Sequence, residues 1–187
     1  MRIWLLTVLC AAAAFLAVSA EAATVTVNAA VVAGATLSVA GNGAAPSFSL
    51  TLNGVDQTTT YTLPVSVVDA RGLSAGGGWN LTITSTQFND GSGHTFPATA
   101  STITGISPAT ACGTGSTCTL PTNSVSNSNL AVPAGAGPPT AVRWFNAASA
   151  TGLGTMNVNA TVSVTVPANV FAATYSSTVT LAAVAGP

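Results

Sequence analysis

The segment NVNATVSVTV, residues 157–166, sets apolar and polar side chains in strict alternation. Val158, Ala160, Val162, Val164 and Val166 fall on one side of an extended chain, and Asn157, Asn159, Thr161, Ser163 and Thr165 on the other. Side chains of a β-strand point alternately to its two faces, whereas those of a helix repeat about every 3.6 residues. The order therefore fits a strand with one buried face. The same period recurs in TVTVNAAVV from Thr24, SFSLTL from Ser47, YTLPVSVVD from Tyr61, WNLTITS from Trp79 and YSSTVTLAAV from Tyr175. Pro64, inside the third of these, has no N–H for a ladder and predicts an edge position or a bulge. Beyond the N-terminal apolar run no segment carries the three- and four-residue apolar spacing of a helix, and glycine–proline clusters such as AGNGAAP and VPAGAGPPT punctuate the strands instead. The pattern predicts an all-β fold, an antiparallel β-sandwich of about seven to nine strands with a long central loop region; a barrel is the nearest competitor. That loop region, Asn89 to Pro139, reads as an excursion between two halves of one sandwich, and long loops on a rigid scaffold commonly carry binding.

The N-terminus reads differently. Arg2 precedes an apolar run from Ile3 to Val18, and small residues stand at Ala20 and Ala22. This is the pattern of a secretory signal peptide cut after Ala22. The expected organisation is a signal peptide at 1–22 and a single β-sandwich domain at 23–187, with no transmembrane segment in the mature chain. After Ala22 the ionic groups are Arg71 and Arg143 against Asp56, Asp69 and Asp90, with no lysine and no glutamate. Nucleic-acid binding needs a basic footprint to neutralise phosphates, so that class is excluded. Valine, alanine and threonine supply enough apolar surface for a core, which argues against disorder.

The chemical inventory is small. Cys112 and Cys118, in ACGTGSTC, belong to a chain that meets an oxidising compartment and read as a disulfide closing a short loop. A metal site lacks ligands, because His94 is the one histidine and no second cysteine pair exists. NDGSGHTF brings Asp90, Ser92 and His94 within five residues, but no nucleophile-elbow pattern surrounds Ser92, and the segment reads as a glycine-rich turn with a solvated histidine. No enzyme and no cofactor are expected. The aromatic residues are more informative. Trp79 follows the run Gly76–Gly78, which lets the chain turn sharply before a strand begins. It shares a strand face with Leu81 and Ile83, which favours a core role over a stacking platform for a flat ligand face. Trp144, in AVRWFNAA, has no alternating apolar partners and is open to either role.

On these residues the chain resembles the WxL family of bacterial surface proteins. VVDARGLSAGGGWNLTITSTQF is similar to the family's first signature, an Asp-x-Arg-Gly turn leading through glycines to Trp-x-Leu: Asp69, Arg71, Gly72, Gly78, Trp79 and Leu81 stand at its positions. The C-terminal segment resembles the family's final strand, with Tyr175, Val179, Thr180 and Pro187 at the tyrosine, leucine, threonine and proline positions. It departs where Leu181 replaces the second tryptophan and Ala183 its leucine. The resemblance implies a secreted, non-enzymatic protein attached non-covalently to the cell wall, with peptidoglycan as ligand and membrane-anchored surface proteins as further partners. An alternative expectation is a structural or assembly subunit, because charge-free threonine-rich strands without lysine leave their edges unguarded.

Overall fold

The computed structural model describes residues 26–34, 36–72, 77–126, 128–137 and 139–186. The expected signal peptide lies outside the described residues. The chain divides into two units, Met1–Val31 and Val32–Pro187. Of the first, residues 26–31 are described; they are irregular and exposed. The second holds nine strands among the described residues: β1 (Leu37–Gly41), β2 (Gln57–Asp69), β3 (Trp79–Thr86), β4 (Ser101–Ser107), β5 (Leu130–Ala131), β6 (Ala134–Gly135), β7 (Val142–Ala147), β8 (Gly154–Val166) and β9 (Val179–Ala185). They form two sheets. One has the order β1-β2-β8-β4-β5; in the other, β3 pairs antiparallel with β7 and β9 and parallel with β6. The protein is an all-β sandwich whose sheets pack through the apolar faces that alternation specifies.

The spine of the first sheet is the antiparallel pair β2 and β8, in register from Gln57 opposite Val166 to Asp69 opposite Gly154. Leu63, Val65 and Val67 on β2, and Met156, Val158, Ala160, Val162, Val164 and Val166 on β8, turn inward. Opposite them stand Trp79, Leu81 and Ile83 of β3, all buried. Each such side chain removed from water contributes about 1.5–3 kcal/mol for Val, Leu, Ile or Phe.

Five expectations require correction. TVTVNAAVV forms no strand over its described residues, 26–32. SFSLTL is also outside any strand, although Phe48, Leu50 and Leu52 do alternate inward against the core. Alternation fixes which side chains are buried, not whether a neighbouring backbone is free to pair. Pro64 lies in an interior strand opposite Asn159, without a bulge. Its carbonyl accepts the Asn42 N–H at 3.0 Å, so its nitrogen points to the same side, where β1 has just ended. No ladder bond is lost there. Finally, the region from Asn89 to Pro139 is more than a loop, for it supplies β4, which pairs with β8 and buries Ile103. The expected strand from Tyr175 begins later, at Val179.

Trp79 and Trp144 have no exposed surface. The Trp79 Nε1–H donates to the Gly152 carbonyl at 2.9 Å, whereas the Trp144 Nε1 has no partner among the described residues. Truncating Trp79 to alanine is expected to cost about 3–5 kcal/mol in urea denaturation. Trp79→Phe should cost more than Trp144→Phe, because only the first leaves a buried carbonyl unpaired.

Candidate functional site

The residues of the Asp-x-Arg-Gly turn and the first tryptophan meet at one end of the sandwich. Asp69 ends β2 in the first sheet and Trp79 begins β3 in the second, so the chain between them crosses from sheet to sheet. The buried Asp69 carboxylate receives a two-pronged guanidinium: Arg71 Nε donates to Oδ1 at 2.9 Å and Nη2 to Oδ2 at 2.8 Å. The Arg71 backbone N–H also donates to Oδ1, at 3.1 Å. Nη2 reaches on to the Gly78 carbonyl at 2.9 Å, immediately before Trp79. Gly72, with φ of 65°, takes the left-handed backbone that glycine tolerates best. At Gly78 a Cβ would stand 2.6 Å from the Ala147 carbonyl, and at Gly152 one would stand 2.6 Å from the Trp79 Nε1. Both glycines are required by close approach of backbone to neighbour. Gly76 lies outside the described residues.

The second signature sits against the first. Leu81 of β3 faces Ala183 of β9 and Ile83 faces Leu181, so the positions of the missing second Trp-x-Leu lie across the ladder from β3, two residues out of step with the first, whose Trp79 faces Ala185. Tyr175 and Thr180 lie toward the other end, Thr180 opposite Thr84 with an exposed side chain. Pro187 lies outside the described residues. Cys112 and Cys118 form a disulfide whose loop lies along the start of β8, through bridges from Cys112 to Met156 and Thr119 to Leu153.

Because both indoles are inside the sandwich, neither presents a face to a ligand. The opposite end offers one. There a cleft of about 940 Å³ opens between the strandless segment 45–52 and the loop 170–177. Its walls are aromatic: Phe48 stacks on Tyr61 with centroids 6.2 Å apart, Phe88 lies 5.3 Å from Phe96, and Phe96 lies 4.4 Å from Tyr175. Hydroxyls of Ser47, Ser49, Thr174 and Ser177 belong to residues on the same lining. At the mouth the Phe171 ring lies on the His94 imidazole, centroids 4.0 Å apart. His94 Nδ1 is 2.5 Å from Asp90 Oδ2, and Asp90 Oδ1 accepts the Ser92 and His94 backbone N–H groups. The histidine is thus anchored by Asp90 while its side chain stays partly in solvent, 41% exposed. No hydrogen bond joins the Ser92 hydroxyl to His94 among the described residues, so the three polar groups of NDGSGH do not assemble as nucleophile, base and acid. Among those residues no three His, Cys, Asp or Glu side chains converge for a metal. No helix there is long and apolar enough to cross a membrane.

Sequence reasoning passed over Phe171 and Gly152. The available signal for Phe171 was a large aromatic, four residues before Tyr175, in the small-residue loop ANVFAATYSS between two strands. None marked Gly152, whose role exists only through Trp79, 73 residues away.

The described residues thus form a β-sandwich pinned at one end and opening an aromatic cleft at the other. The chain belongs to the WxL family: the model of the WxL domain, described as surface cell wall-binding, matches residues 25–185. No curated protein and no solved structure matches it.

The ion pair carries a pH prediction. Burial raises the Asp69 pKa, but the hydrogen bonds and charge of Arg71 outweigh it and hold the carboxyl below its ordinary value. A group depressed in the folded state stabilises fully above its unfolded pKa, about 3.9, and loses that contribution as pH falls through the folded value. Asp90, held low first by the His94 side-chain hydrogen bond, acts in the same direction. Asp69→Asn should therefore be less stable than the parent at neutral pH, with the gap narrowing below about pH 4 in chemical denaturation.

Proposed function

We propose that the protein is a non-enzymatic, secreted surface module that associates non-covalently with the cell wall, with peptidoglycan as its ligand. The observation that carries this reading is membership of a cell-wall-binding family across residues 25–185. The chemistry of the surface agrees with it. With two arginines and three aspartates after Ala22, two of those aspartates paired, attraction to charged wall polymers contributes little. Binding then rests on aromatic faces and hydroxyls, which suit a ligand that is itself hydroxyl-rich with apolar ring faces. The protein is expected to co-sediment with purified peptidoglycan and to remain bound from about 0.15 M to about 1 M salt, where exposed charge pairs are screened within about 8 to 3 Å. Absence from the pellet at every ionic strength would sink the reading.

A second reading, an assembly subunit that binds other surface proteins, is favoured by β9. Among the described residues β9 pairs only with β3, and its sequence VTLAAVA places no charge or proline on the outer edge. Unguarded edges of this kind add strands from other chains. Size-exclusion chromatography decides between the two: a monomer across a hundredfold dilution removes self-assembly, whereas concentration-dependent polymers support it.

A further inference from the structure

We propose that Phe171 is a stacking platform for the apolar face of a pyranose ring, held in position by His94 and, through it, by Asp90. The inference rests on the wall-binding reading and assigns it a surface distinct from the tryptophan motif. Phe171 keeps 63% of its surface exposed although it lines an otherwise half-buried aromatic cleft. One ring face is covered by the His94 imidazole, 4.0 Å between centroids and 28° between planes. The face of the ring away from His94 extends the apolar surface of the cleft to its mouth, where a flat apolar contact can rest on it.

The support beneath the ring is held by a set of hydrogen bonds. The Asp90 side chain is only 5% exposed, and its carboxylate binds His94 Nδ1 with one oxygen and two backbone N–H groups with the other. The two loops that carry His94 and Phe171 are tied together by reciprocal backbone bonds between Asn89 and Ser176, at 2.9 and 3.0 Å. The Tyr175 hydroxyl donates to the Phe171 carbonyl at 3.2 Å. Such fixing reduces the ordering cost of binding.

The occupant follows from the chemistry of the rim. His94 Nδ1 and two backbone N–H groups already engage the Asp90 carboxylate, and no arginine, lysine, aspartate or glutamate lies among the residues lining the cleft. An ionic ligand therefore has no charged partner in that lining. The cleft volume, about 940 Å³, is of the size that holds a small oligomer rather than a single group. Its lining combines aromatic rings and aliphatic side chains with serine and threonine residues such as Ser47, Ser49 and Thr174, which suits a sugar: apolar surface for its C–H faces, hydroxyls for its hydroxyls. Phe171 is the contact residue in this arrangement, and His94 and Asp90 are positioning residues.

Two measurements test the assignment. Phe171→Ala is expected to lower affinity for purified peptidoglycan at least tenfold with an unchanged unfolding midpoint. His94→Ala and Asp90→Asn should weaken binding several-fold, and His94→Phe, which keeps a ring beneath Phe171, should restore it; a merely structural role would give no such rescue. Titration with soluble N-acetylglucosamine oligomers, read through the ring resonances of Phe171, tests the platform independently of the intact wall. Shifts centred on Phe171 and Tyr175 support it. Absence of a shift at Phe171, or Phe171→Ala binding as tightly as the parent, overturns it while leaving wall association intact. Failure of the parent to sediment with peptidoglycan while the oligomer still shifts Phe171 removes the wall reading and leaves the glycan site.

Discussion

The Arg71 guanidinium, shared between the Asp69 carboxylate and the Gly78 carbonyl, joins the end of one sheet to the start of the other. A sandwich needs its two sheets held in one relative setting before their inner faces can interdigitate. Here the crossing chain is short, and the ion pair fixes both of its ends. A buried carboxylate without this partner would cost several kcal/mol, and with it the charge is satisfied by three hydrogen bonds from a single residue. The setting propagates directly: Gly78 packs against the Ala147 carbonyl, Trp79 follows on the inward face, and its indole N–H reaches Gly152 before β8. The signature of Asp, Arg, glycine and tryptophan is thus one mechanical unit, in which each residue type is required by the geometry of the next.

Pinning one end leaves the other free to vary. At the far end β2 outruns β1, and the segment 45–52 lies over the core without ladder bonds. The cleft opens where backbone pairing stops. Its walls are built from loops that the sandwich positions but does not cover, a common division between a rigid scaffold and a binding surface. The missing second Trp-x-Leu is consistent with this division: Leu181 and Ala183 face Ile83 and Leu81 within the ladder, so the substitution changes packing between strands and not the cleft mouth.

Much of the fold was legible in the sequence. The strands from Tyr61, Trp79 and Asn157 stand where alternation placed them, and the cysteines six residues apart are bonded. The failures share one cause. The described residues of TVTVNAAVV, 26–32, and SFSLTL have the period of strands but no paired edge, β4 was hidden in a polar region because STITGIS is short and hydroxyl-rich, and Trp144 was ambiguous because the run Trp144 to Ala147 is buried without alternation. Beside it, the register of β3 and β7 shifts between Leu81 and Thr82. Pairing and irregularity of this kind depend on residues distant in the chain.

The sequence by itself determined the fold class, the inward set of each long strand and the residues of the pin, because side-chain period and local turn chemistry act over a few residues. Tertiary structure decided which aromatics are exposed. Trp79, which alternation assigned to the core, and Trp144, which the sequence left open, are both buried; Phe171 looks like loop filler and keeps its ring in solvent. Exposure is settled by what packs across from a residue, and for Phe171 that is His94, 77 positions earlier in the chain and brought beneath it only by the pairing of two loops.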